Sequence, residues 1–177
     1  MSKITLIVAS TRQNRIGGDI ADWLKAQANE NNIELNVIDL QEVSLPAFDA
    51  PIPPAYAPND TEHGKAWAKQ IADSDAFIFL TPEYNRSIPS SLKNAIDYLV
   101  PEWQEKKAAI VSYGYVDGGA NAAKHLSDIL GWLKMDTTEP VHIQLSRDFF
   151  TENGAFKDMN ASLAEFAQPV VNVLTRL

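Results

Sequence analysis

The chain has 177 residues, a length that suits one domain, and its 45% hydrophobic and 21% charged residues are the mix of an ordinary globular protein. It contains no cysteine, which excludes disulfides, thiol nucleophiles, zinc knuckles and iron–sulfur clusters, so any redox chemistry needs an organic cofactor or a metal held by histidine and carboxylates. The net charge of −8 argues against a nucleic-acid partner, which needs a basic face, and against an anionic membrane surface.

In chain order, Ile4–Ala9 is a short apolar run and reads as a buried strand. It is too short for the apolar core of a signal peptide, and no later segment approaches the roughly 18–20 apolar residues of a membrane span. A cytoplasmic protein is the expectation. Ile16, Ile20, Trp23 and Leu24 fall at helical spacing, and Ile33–Leu40 reads as a second strand. Leu45 to Pro58 is a long loop holding five of the ten prolines, and Phe48, Pro54 and Tyr56 in it are candidates to border a substrate cleft. Trp67 and Ile71 mark a helix, and Ala76–Leu80 a third strand. Leu92, Ala95, Ile96 and Leu99 mark a helix with Pro89 near its start. Ala108–Val111 is a fourth strand, Ala123, Leu126, Leu130 and Leu133 a fourth helix, and Val141–Leu145 contains a fifth strand. Leu163, Phe166, Val170, Val173 and Leu174 stripe a C-terminal helix.

Five strands alternating with helices imply an α/β fold, a five-stranded parallel sheet with helices on both faces, in one domain over residues 1–177. In such sheets ligands bind beyond the carboxyl ends of the strands, so the loops after strands one, three and four are where a site belongs.

The first loop, from Ala9 to Gly18, follows a strand and opens a helix, a junction that favours an anion. Residues 1–18 carry Lys3, Arg12 and Arg15 and no acid. Ser10 and Thr11 add hydroxyls, the two arginines add forked donors that match phosphate oxygens, and Gly17 allows close approach. The plainer alternative is a helix capped by Ser10 or Thr11 with two solvated arginines. The loop has neither a Walker A pattern nor G-x-G-x-x-G, which disfavours a nucleoside triphosphate or a dinucleotide. The second loop, Thr81 to Pro89, combines turn formers with an aromatic and amide or hydroxyl groups; Tyr84 and the loop backbone could give a flat heteroaromatic ligand a face and edge hydrogen bonds, or the loop could be a turn before a helix capped by Ser87. The third, Ser112 to Gly119, holds three glycines and two tyrosines, and its plain reading is a flexible turn with Asp117 as a cap. His63, His125 and His142 form no ligand pair at helical spacing, so no metal site is expected. His142 is placed in or beside a strand, His63 at a helix start and His125 on a helix surface.

Together, Ser10 to Gly17, the run Pro-Glu-Tyr-Asn-Arg-Ser-Ile-Pro at 82–89 continued by Leu92 to Asp97, and Ser112-Tyr113-Gly114 with Gly118-Gly119 resemble the NAD(P)H-dependent FMN reductase family. The second run is the most specific, and the resemblance weakens after about Arg147. It implies a flavodoxin-like three-layer sandwich. It implies that Ser10, Thr11, Arg12, Arg15 and Gly17 hold the FMN phosphate, that Pro82, Glu83, Tyr84 and Asn85 line the isoalloxazine, and that Ser112, Tyr113 and Gly114 close its other side. NADPH or NADH would be the electron source and flavin, quinone, azo compound or metal ion the acceptor, with no side-chain acid, base or nucleophile required. It further implies a homodimer or homotetramer with Tyr98, Trp103 and the helix after Pro89 at the partner surface, although Trp103 could equally close a local core. Ala9 departs from the glycine that the family often has there. A flavodoxin-type electron carrier is the alternative, disfavoured by the arginines of the first loop, and a non-redox module that lost the flavin is a third reading.

Overall fold

The computed structural model describes residues 2–177. Six strands, β1 (Ile4–Val8), β2 (Leu35–Asp39), β3 (Ala76–Pro82), β4 (Lys107–Gly114), β5 (Asp136–Thr137) and β6 (Val141–Gln144), form one sheet in which every pairing is parallel. The order is β2-β1-β3-β4, with β5 and β6 both pairing the free side of β4. Six strands therefore fill five sheet positions, in the strand order of flavodoxin-like folds. The fifth position is split because Thr138, Glu139 and Pro140 interrupt it, and proline has no N–H for a ladder.

Helices α1 (Gly17–Glu30) and α6 (Met159–Leu174) cover one face of the sheet; α3 (Glu62–Ala72), α4 (Ser90–Asp97) and α5 (Ala120–Trp132) cover the other, and α2 (Leu40–Val43) is a single turn after β2. The central strands β1 and β3 are buried along their whole length, so they read as near-continuous apolar runs, whereas β6 alternates buried and exposed residues. Along β1, Ile4, Leu6 and Val8 face the α1/α6 core, while Ile7 faces the α3/α4/α5 core. Thr5 is the polar exception: its hydroxyl lies 2.7 Å from Ser74 Oγ and accepts from Asn36 Nδ2.

The core on the α3/α4/α5 side is aromatic. The Trp103 ring lies 5.1 Å from Phe77, 6.0 Å from Phe79 and 6.2 Å from Trp67. Both indole N–H groups find carbonyls, Trp103 on Ile96 and Trp67 on Ala95. Trp103 and Tyr98 are fully buried within the chain, so the partner-surface role that the resemblance implied for these two is overturned: both complete this core. His63, in the first turn of α3, packs its ring edge-on against Tyr98. In the proline-rich loop, Phe48 and Pro54 line an apolar groove against α4 and α5, whereas Tyr56 stands in solvent and is not part of it.

Trp103 holds β3, α3 and α4 together, so Trp103→Ala should destabilise the protein by about 3–5 kcal/mol, read from the urea midpoint with an unchanged slope. A loss below about 1 kcal/mol would show that the cluster collapses to fill the gap.

Candidate functional site

The strand register puts three loops at one edge. Val8 pairs with Leu80 and Pro82 with Tyr113, so β1, β3 and β4 deliver their following residues side by side. Ala9 is buried, continues the pairing through its N–H to Leu80 O at 3.0 Å, and accepts from Ser91 Oγ at 2.7 Å. It is not among the left-handed residues, so alanine fits where glycine is otherwise common.

Helix α1 starts at Gly17 with Ile16 as N-cap and no side-chain cap, so the Ser10/Thr11 capping alternative is not what forms. Ser10 is buried and its hydroxyl lies 2.7 Å from that of Tyr84, tying the first loop to the second. Thr11, Arg12, Gln13 and Asn14 are exposed, and among the described residues their backbone N–H groups donate to nothing in the chain. Arg12 makes no ion pair there either. Arg15 behaves differently from Arg12. Its fork closes on both carboxylate oxygens of Asp39 at the end of β2, with one contact at 2.7 Å, and it also donates to the Ser10 carbonyl. Gly17 makes room for a side chain of the protein itself: a Cβ there would lie 2.7 Å from the Tyr113 hydroxyl.

The second loop is a hairpin. Tyr84 and Ser87 exchange N–H···O bonds of 2.9 and 3.0 Å, and Asn85 and Arg86 between them are left-handed, with φ of 49° and 68°. That is the pattern of a primed hairpin turn, here without glycine. The Asn85 and Arg86 N–H groups, at the exposed tip, donate to nothing among the described residues. Helix α4 begins after Pro89, so Ser87 does not cap it; its hydroxyl pairs with His125 Nδ1 at 3.0 Å. Pro82 is buried at the end of β3. Glu83 turns its carboxylate to the start of α5, accepting from the backbone N–H of Asn121 at 3.0 Å and Ala122 at 3.3 Å. The cap on α5 thus comes from Glu83 and not from Asp117.

Ser112, Tyr113 and Gly114, expected in the third loop, are the last three residues of β4. Ser112 is fully buried; its hydroxyl donates to Gly118 O at 2.8 Å, which leaves His142 Nδ1, 2.7 Å away, to donate to it. Gln144 clamps the loop, accepting from Gly118 N–H and donating to Tyr115 O. Gly118 is left-handed and a Cβ on it would meet the His142 backbone at 2.8 Å, so the loop passes where only glycine fits. The large apolar side chains this loop leaves exposed are Tyr115 and Val116. Asp39, His142, Gln144 and Tyr115 were not singled out for the site from the sequence. Only the last carried a signal, an aromatic beside Gly114.

Residues 2–149 match the model of the NADPH-dependent FMN reductase family. The chain belongs to that family. It is 36% identical over 153 residues to an NAD(P)H-dependent FMN reductase from a Nectria species, covering 82% of this chain and 75% of the relative. It is 31% identical over 163 residues to a quinone reductase of Pseudomonas putida, covering 88% and 84%. Its fold superposes on the flavoenzyme NAD(P)H:(acceptor) oxidoreductase FerB of Paracoccus denitrificans with a TM-score of 0.74 at 24% identity, over 99% and 98% of the two chains. The protein is therefore an enzyme of the NAD(P)H-dependent FMN and quinone reductase type, with FMN and a nicotinamide as its cofactors. The unpartnered N–H groups of the first loop, beside the unpaired Arg12, fit a phosphate. Those of the left-handed hairpin, beside Tyr84, fit the polar edge of a planar ring.

Beneath these loops the reductase holds three hydroxyls, on Ser10, Tyr84 and Tyr113. Burial pushes the Tyr113 phenol up, the neighbouring Tyr84 adds to it, and Ser10, Arg15 and Arg12 only partly pull it back. The native state then keeps a proton that the unfolded chain releases near pH 10, so stability falls as pH rises past about 10. Tyr98 is raised too, by burial and by Asp49, and contributes in the same sense. Tyr113→Phe should make the alkaline fall shallower, read from melting temperatures at about pH 8 and about pH 10.5. An unchanged slope would mean that Tyr113 is not held protonated.

Proposed function

We propose that this reductase holds FMN across the three loops and passes electrons from NADPH or NADH to a small-molecule acceptor such as a flavin, quinone, azo compound or metal ion. The observation that carries this reading is the set of free backbone donors at one edge of the sheet, four in the first loop with Arg12 and two on the hairpin tip. Thr11, Arg12 and the loop amides hold the phosphate, with Ser10 at its base. Arg15, locked on Asp39, shapes that loop, and Gly17 admits Tyr113 beneath it. Tyr84 and the backbone of Asn85 face the ring, positioned by Pro82 and Glu83. Ser112, Tyr113 and Gly114 bound the other side as the rigid end of β4. When bound, FMN supplies the chemistry, taking a hydride at N5 from the nicotinamide and giving up electrons to the acceptor. The chain's part is to bind, orient and exclude water, and no side-chain acid or base is needed for the transfer. No helix among the described residues is long and apolar enough to cross a membrane, and a cytoplasmic site of action accords with the reducing power of the nicotinamide pool.

Oligomerisation belongs to the same reading, as a homodimer or homotetramer. Between the proline-rich loop, α4 and α5 lies an apolar groove of about 530 Å³ lined by Phe48, Pro54, Ile96, Val100, Ile129 and Trp132. Trp132 is 71% exposed, a costly position for an indole unless another surface covers it. Lys93, Asp97 and Asp128 on the rim carry both signs, which suits a second copy of the same face.

The purified protein, given FMN under nitrogen, should show a shifted flavin band that bleaches with NADPH or NADH. A bound band that neither bleaches would favour the flavodoxin-type carrier, and no binding would end the FMN reading. Arg12→Ala should weaken FMN by about tenfold or more, as loss of one charge-assisted hydrogen bond, and riboflavin far less; equal losses would place the phosphate elsewhere. Trp132→Asp should lower the mass seen by light scattering to that of one chain, and an unchanged mass would exclude the groove as the interface.

A further inference from the structure

The largest exposed aromatic near the site is one that the FMN assignment does not use. Pro82 pairs with Tyr113, and two residues further on stand Tyr84 on one strand end and Tyr115 on the other. Tyr115 is 56% exposed and the adjoining Val116 61%. Leaving both in water forgoes the burial that a large apolar side chain ordinarily gains on folding. Yet this loop is not loose. The Tyr115 carbonyl accepts from Gln144 Nε2 at 2.6 Å, Gly118 N–H donates to the same glutamine side chain, and Gly119 N–H donates to Val116 O.

The Tyr115 ring is also braced. Phe150 lies 6.3 Å from it, and Phe150 itself packs on Phe156 at 4.6 Å and Phe149 at 6.4 Å. These phenylalanines sit on a small hairpin after β6, where Phe150 bridges Phe156, Thr151 N–H donates to Ala155 O, and Lys157 N–H to Phe149 O. This hairpin lies almost entirely beyond the residues that match the family model. It supports one flank of the third loop with aromatic rings. The charges around it are mixed, Asp117, Asp148 and Glu152 against Arg147 and Lys157, so the surface favours no ion of either sign. A rigid aromatic with one flank supported and more than half its surface open is a ready stacking surface for a planar, uncharged molecule.

We propose that Tyr115, braced by Phe150, is the wall against which a planar quinone acceptor lies, and that it determines preference for planar over compact acceptors. This rests on the reductase reading above and adds a residue that sets acceptor choice. The ring acts on acceptor binding, not on the flavin, so its removal raises an acceptor's KM and leaves cofactor affinity alone.

The test uses the FMN-loaded protein and the variants Tyr115→Ala, Tyr115→Phe and Phe150→Leu, with menadione as planar acceptor and ferricyanide as compact one. In Tyr115→Ala the ratio of the menadione KM to the ferricyanide KM should rise about tenfold, an ordinary value for a lost aromatic stacking contact, while kcat for menadione stays within about twofold. Tyr115→Phe should restore the ratio, and Phe150→Leu should raise it by a smaller factor. The FMN dissociation constant, from quenching of flavin fluorescence, should match wild type in Tyr115→Ala. An unchanged KM ratio overturns the proposal. So does a loss of FMN affinity in step with KM, which would put the ring on the flavin. Wild type that binds FMN and is bleached by NADPH shows that the reductase reading stands whichever way the ratio falls.

Discussion

The carboxylate of Glu83, set against the first N–H groups of α5, is the contact on which the geometry of the site depends. It joins the end of β3 to the helix that follows β4, and so fixes two of the three loops relative to each other. A helix N-terminus is worth roughly 0.3–1 kcal/mol to a nearby carboxylate at the surface and up to ~2 when partly buried. The two residues that follow shortly after are left-handed and not glycine, at a cost of about 1–2 kcal/mol for an ordinary L-residue. Such a turn persists only where its surroundings over-determine it. Here Glu83 pins its start, the Tyr84–Ser87 bonds close it, and buried Ile88 and Pro89 anchor its exit. The free N–H groups at the tip are therefore fixed in place by the chain's own contacts, which is what preorganisation means energetically.

Charge is arranged with similar economy. Of the two arginines in the first loop, one is committed to Asp39 and one is free. Both partners of the Arg15–Asp39 pair are mostly buried, at 14% and 16% side-chain exposure, and a pair like that contributes shape more surely than stability. Its shape is specific: it links the end of β2, which also caps α2 through Asp39, to the carbonyl of Ser10. The loop's anion affinity then falls to backbone N–H groups and Arg12. On the proposed reading, a single unpaired cation in a chain of net charge −8 would serve a phosphate without drawing every polyanion to the surface.

What could be read from the sequence follows the range of the interactions. β1 and β3 were legible because burial on both faces makes them continuous apolar runs. The three loops were legible because chemistry-bearing residues cluster at strand ends. The end of β4 was not: Ser112, Tyr113 and Gly114 look like turn residues, and only the β3–β4 register, with β6 on the other side, extends the strand through them. β5 has two residues and no pattern to find, and Leu40, the first residue of α2, was read as the end of the second strand because it continues that apolar run. Tyr98 and Trp103 looked available to a partner because an aromatic in a sequence carries no sign of which surface it faces. Arg15 and Asp39 are 24 residues apart, and Glu83 and Asn121 are 38 apart; nothing local announces either contact.

Tyr113 shows why the floor of the site is built from hydroxyls. Its side chain leaves β4 and reaches the first residue of α1, which lies over β1, so it runs beneath the end of the strand between them. Gly17 exists at that point to admit it. There it joins Ser10 and Tyr84, and its proton is held firmly by burial. A carboxylate in the same place would satisfy the same donors but would set a negative charge under the loop proposed to hold the phosphate. At an effective dielectric near 20, two like charges about 4 Å apart cost ~4 kcal/mol, comparable to the whole benefit of one or two charge-assisted hydrogen bonds. Neutral hydroxyls avoid that penalty and still satisfy one another. An uncharged floor beneath the proposed anion site thus accounts together for the raised phenol, the glycine above it and Ser10, two residues past the end of β1.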